Sequence, residues 1–102
     1  MIVIDFRTWD GVKKAVIYAL RRLVAEAKGT VVGVNASRVY KVIYGARPDN
    51  GDLAPAHAEL LIHAIMDVAG DCIVTQIRKR GGRRKGRLML MDTQCLKQRL
   101  GL

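Results

Sequence analysis

From Val12 onward, apolar residues recur at helical spacing. Val12, Ala15, Val16, Ala19, Leu20, Leu23, Val24 and Ala27 form one stripe, and Lys13, Lys14, Arg21 and Arg22 fall mostly off it. The pattern predicts an amphipathic helix over residues 8–28. Thr8 suits its N-cap, and Asp10 sits in the first turn, near the positive end of the dipole. Lys28 and Gly29 supply a stop, a cation followed by a residue free to turn left-handed. Residues 30–34 are β-branched and predict a brief strand. Asn35 can cap a second helix over residues 35–45, with Val39, Val42 and Ile43 on its buried side and Gly45 at its end.

Residues 45–52 are rich in turn formers. Asp52 can cap a third helix over residues 52–69, with Pro55 tolerated in its first turn. Its stripe is Ala58, Leu61, Ile62, Ile65, Val68 and Ala69, and Gly70 ends it. The period then changes. Residues 71–78 and 87–91 read as strands, and the glycines at 81, 82 and 86 allow a hairpin tip between them, so 71–91 is one hairpin. Thr93 can cap a last short helix, 93–100, with Leu96 and Leu100 one turn apart. Residues 1–7 form an N-terminal arm whose apolar run packs on the body as a strand or a plain segment. No repeat or linker divides the chain, so residues 1–102 make one α+β domain.

Charge changes this picture in one place. The net charge is +9, and Arg78, Lys79, Arg80, Arg83, Arg84, Lys85 and Arg87 supply +7 of it within ten residues that contain no acid. A single-sign block of this kind makes an attractive field for a polyanion. Half the residues are apolar, which excludes a disordered tail. No apolar run reaches the length of a membrane span and no leader pattern is present, so a cytoplasmic protein without a membrane partner is expected. Few Asn and Gln, and more Arg than Lys, fit a thermophilic source.

The order of elements resembles the winged helix-turn-helix family of DNA-binding domains. Three features between residues 8 and 91 carry the likeness: three helices followed at once by a hairpin, a short strand after the first helix able to pair with that hairpin, and a Gly-tipped, Arg-rich hairpin where the family carries its wing. Gly70, just before the hairpin, stands where such proteins place a glycine, and residues 33–41 resemble the turn and start of a helix-turn-helix. The resemblance implies a three-helix core with a C-terminal wing, and a transcription regulator or chromatin-type factor on duplex DNA. RNA binding, or service as an interaction module in a larger assembly, is the alternative.

Within that frame the wing cations are the leading contacts, Arg80, Arg83, Arg84 and Lys85 ahead of Arg78, Lys79 and Arg87 at the strand ends. Arg38, Lys41 and Arg47 follow as second candidates. The third helix is poorly suited to a groove. Off its apolar stripe it shows Glu59, His63 and Asp67, whose acids repel phosphate, and only its start, with His57, is compatible with an anion. The basic block contains no aromatic residue, which favours duplex over single-stranded partners. Tyr40 and Tyr44 share a helix face and are expected to pack.

Other chemistry is not expected. His57, His63, Cys72 and Cys95 make no zinc spacing, and two cysteines make no disulfide scaffold, so both read as inert packing. The glycine-rich block lacks the Gly-Lys-Ser/Thr ending of a phosphate loop, and no pair of acids is placed for acid-base work, so neither an enzyme nor a cofactor is expected. The arm and Leu96, Leu100 and Leu102 are spare apolar surfaces for a homodimer, or caps for the chain's own core.

Overall fold

The structure, a computed structural model, describes residues 3–49, 53–78 and 87–102. In chain order its elements are α1 (Trp9–Glu26), β1 (Val31–Val34), α2 (Ala36–Tyr44), α3 (Pro55–Ala69), a single 3₁₀ turn (Gly70–Cys72), β2 (Ile73–Arg78), β3 (Arg87–Asp92) and α4 (Thr93–Leu100). The fold is α+β, with an antiparallel sheet in the order β1-β3-β2.

α1 forms where its stripe predicts, and Thr8 Oγ1 accepts the Gly11 N–H at 3.0 Å to cap it. Val12, Ala15, Val16, Ala19, Leu20 and Val24 are all buried, and the helix touches α2, α3, α4 and β1. Its end differs from expectation. The helix stops at Glu26, and Ala27 leaves in extended conformation with its N–H still on the Val24 carbonyl. Gly29 is not left-handed; only Gly45 and Gly101 are, among the described glycines. Ala27 packs against the core, and that contact turns the chain toward β1 before the glycine is reached.

α2 keeps both predicted boundaries. Asn35 Oδ1 accepts the Arg38 N–H at 2.7 Å, and Gly45 closes the helix at φ +81°. α3 starts later than expected, at Pro55, with Ala54 as a cap that offers no side-chain acceptor. Asp52, the expected cap, lies outside the described residues. Proline pre-sets the helical φ at the first position and has no N–H to leave unpaired, so the start there needs no side-chain acceptor for that residue. Gly70 ends α3 in right-handed conformation and the chain continues as the 3₁₀ turn, which delays β2 from residue 71 to Ile73. At α4 the cap is Asp92 rather than Thr93, its carboxylate accepting from the N–H groups of Gln94 and Cys95. Thr93 is instead buried and donates its hydroxyl to the Gly29 carbonyl at 3.1 Å, while its N–H bonds the Thr30 carbonyl.

The sheet lays one face on the helices. Val32 pairs with Met91 and Val34 with Met89, all four buried. These side chains meet Val16, Leu20, Val39, Leu61, Ile65 and Leu96 in one core. Residues 3–7, the described part of the arm, form no strand, and Ile4 of this segment packs in the core. Ile4 is buried, and its N–H donates to the Tyr44 hydroxyl at 3.0 Å. Leu96 and Leu100 are buried as well, so much of the surface expected to be spare for a dimer belongs to the core, while Val3 of the arm and Leu102 are exposed.

The cysteines are not inert thiols. Cys72 and Cys95 form a disulfide that ties the 3₁₀ turn to α4 across a sequence separation of 23. Asp71 and Arg99 make an ion pair beside it. Sequence spacing carried no sign of this bond, because the hairpin between the two cysteines is what brings them together.

Two outcomes follow from this packing. Cross-linking a loop of this length removes chain entropy from the unfolded state worth about 3 kcal/mol, so Cys95→Ser lowers Tm by roughly 12–20 °C in non-reducing thermal melts. An unchanged Tm, with free thiols on titration of the parent chain, contradicts the bond. Asn35→Ala removes the α2 cap and costs about 1 kcal/mol in urea unfolding; no change in the midpoint contradicts a capping role.

Candidate nucleic-acid interface

β2 and β3 carry the ends of the basic block. Arg78 pairs directly with Arg87 in the register of the sheet. The chain therefore leaves β2 and re-enters β3 at one rung, with both ends of the block side by side. Lys79, Arg80, Arg83, Arg84 and Lys85 lie outside the described residues.

Gly33 is where the second group of candidates meets the hairpin. The Arg38 side chain turns back from the first turn of α2, and its Nη1 donates to the Gly33 carbonyl at 3.0 Å. A Cβ placed on Gly33 would lie 3.2 Å from Leu88 and 3.8 Å from Arg38 Nη1. The Arg38 guanidinium and Leu88, the residue after Arg87, thus share the space over one glycine. Lys41, three residues along α2 from Arg38, is exposed, and so is Arg47 beyond the end of that helix. The structure brings Arg38 to the foot of the hairpin; among the described residues no hydrogen bond or ion pair joins Arg47 to it.

The acids are engaged elsewhere. Asp5 pairs with Arg7 at 3.1 Å, Asp67 with Lys13 at 2.9 Å, Glu26 with Arg22 at 3.7 Å, and Asp71 with Arg99. Asp92 is spent on the α4 cap. The Arg7 backbone N–H, and then its side chain, hold the Asp5 carboxyl below its usual pKa. The hydrogen bond to Asp67, and then its charge, hold Lys13 above the usual lysine value. Among the described residues, none of Arg38, Lys41 and Arg87 is ion-paired with a carboxylate. These pairs engage Arg7, Lys13, Arg22 and Arg99, and none of them draws on a cation of α2 or β3.

The third helix offers less than its sequence suggested. The His57 ring stacks on Phe6 of the arm, with centroids 4.0 Å apart and planes 3° from parallel. The residue at the start of α3 that suited an anion is therefore taken up in packing. Further along, Glu59 and His63 approach to 3.8 Å on an exposed face, and Asp67 turns toward α1. Tyr40 and Tyr44 pack on each other with centroids 4.5 Å apart. Among the described residues no group of three metal-ligating side chains gathers, and no helix is long and apolar enough to cross a membrane.

Sequence reasoning missed the contact of Arg38 with Gly33. A glycine on a strand five residues before an arginine on the next helix was its only trace. Comparison with models of known protein families, with characterised proteins and with solved structures finds nothing that matches this chain.

Proposed function

We propose that this chain is a winged helix-turn-helix protein that binds duplex DNA mainly through its hairpin, as a transcription regulator or chromatin-type factor. The topology is compatible with that fold: β1, placed between the first two helices, pairs with β3 of the hairpin that follows the third. The observation that carries the functional reading is the pairing of Arg78 with Arg87, which sets both ends of an acid-free run of seven cations on one rung. Arg38 and Lys41 extend the basic surface from the hairpin foot onto α2. The exposed acid on α3 and the stacked His57 argue against that helix as the main reader, so the wing supplies affinity through phosphates and little base selection. The disulfide fits a cytoplasmic protein if the source is a hyperthermophile, where intracellular disulfides persist.

With four to six phosphate contacts, duplex affinity falls with salt at a log-log slope of about −4 to −5. Replacing Arg80, Arg83, Arg84 and Lys85 together by Ala flattens that slope by about 3 and weakens binding at low salt. Fluorescence anisotropy on a labelled duplex across a salt series checks both. An unchanged affinity and slope removes the wing from binding, and displacement of the duplex by structured RNA at equal or lower concentration overturns DNA as the partner.

A further inference from the structure

We propose that the outer face of the sheet docks an acidic amphipathic helix of another protein, with its apolar stripe on Leu88 and Leu90 and its carboxylates toward Arg38 and the basic run. The inference is read from the sheet face and does not rest on the nucleic-acid reading.

Side chains alternate along a strand, and directly opposed residues of neighbouring strands share a face. Met89 and Met91 fill the core, so Leu88 and Leu90 point from β3 the other way. The register sets Ile77 beside Leu88, and Thr75 and Gly33 on either side of Leu90. Val31 stands two residues before Gly33, on the same face. The space over Gly33 agrees: a Cβ placed there would lie 3.2 Å from Leu88 and 3.7 Å from Leu90.

This face is apolar where a solvated face is ordinarily polar. An antiparallel sheet with one side in water alternates apolar and polar residues, whereas a strand covered on both sides reads as a continuous apolar run. Residues 88–91 read Leu-Met-Leu-Met. The methionines account for the covered side. Leu88 and Leu90 are half-buried and neither packs against the core, while Ile77 is 46% and Val31 43% exposed. An apolar sheet face of this kind is normally buried against a further layer.

The charge around the face selects the occupant. Arg38 reaches past the end of β1, where its Nη1 donates to the Gly33 carbonyl at 3.0 Å and lies 3.8 Å from the same Cβ position. Its guanidinium therefore stands on the outer face, beside the two leucines. No carboxylate pairs with it among the described residues, so it keeps donors for an incoming one. The acid-free basic run begins one residue after Ile77 and ends one residue before Leu88, which makes the hairpin end of the face cationic. The one acid of the three strands is Asp92, opposite Val31 at the far end, and its carboxylate is held by the α4 cap. A helix with an apolar stripe flanked by Asp or Glu complements this arrangement in shape and sign. The face carries no aromatic residue on which bases could stack, and its leucines are too far buried to insert into lipid.

The test titrates methyl-labelled full chain with a synthetic peptide of about 18 residues that carries Leu at helical spacing and Glu on both flanks. Shifts are expected at the methyls of Val31, Ile77, Leu88 and Leu90, a pattern that locates the site without any variant. A scrambled peptide of the same composition, and an analogue with Lys in place of Glu, are expected to bind at least about tenfold more weakly. Leu88→Thr/Leu90→Thr keeps strand propensity, and circular dichroism and Tm verify that it folds. It is expected to weaken binding by about tenfold or more. Arg38→Gln is expected to weaken it less and to flatten its dependence on salt. No binding of the striped peptide, equal binding of the scrambled one, shifts confined to the hairpin, or undiminished binding by the folded double variant overturns the proposal. So does movement of the same methyls as the chain alone is concentrated, which assigns the face to a second copy. Movement with anionic vesicles but not with the peptide assigns it to lipid and overturns the proposal as well.

Discussion

Met89 and Met91 are the residues on which the arrangement of this molecule turns. Both point from the central strand into the core, where they meet Val34 and Val32 of β1 and the stripe of α1. Side chains alternate along a strand, so a slip of one residue would drive Leu88 and Leu90 inward and bring both methionines into water. The slip exchanges two methionines for two leucines of similar hydrophobicity, so the register is held by the fit of Met89 and Met91 in the core with Val16, Leu20, Leu61 and Ile65 rather than by burial alone. The same register decides where β3 begins, and so where Arg87 stands opposite Arg78. The position of the basic run follows from the packing of two apolar residues that never touch a partner.

A second constraint works at the other end of the hairpin. Thr93 bonds back to Gly29 and Thr30, and the disulfide links the 3₁₀ turn to α4. β2 is tied at its start and β3 at its end, while the basic run lies between. Affinity from such a run comes from cations meeting phosphates, and a rigid base lowers the ordering that binding demands. The acids of the described ion pairs are matched to cations of the arm, α1 and α4, and none of them is drawn to Arg38, Lys41 or Arg87.

The elements were legible where the signal is local. Asn35 and Gly45 bound α2 because an Asx cap and a left-handed glycine act within a few residues. Thr8 was legible for the same reason. Long-range partners hid the rest. Thr93 and Asp92 are both good caps, and the choice was made by the Gly29 carbonyl, 64 residues away in sequence, which takes the threonine hydroxyl. The end of α1 was moved by the packing of Ala27, and the cysteine pair is created by the hairpin fold. Of the candidate site, the charge block was visible from the sequence, whereas the meeting of Arg38 with Gly33 and the stacking of His57 on Phe6 depend on which elements touch.

The central claim is that the hairpin, not the third helix, meets the duplex. It is tested most directly by titrating a duplex into isotopically labelled protein and following backbone amide shifts. The account predicts the largest changes at residues 78–87, smaller ones at Arg38 and Lys41, and little at Glu59, His63 and Asp67. Changes concentrated on α3, with the hairpin amides unmoved, would contradict it.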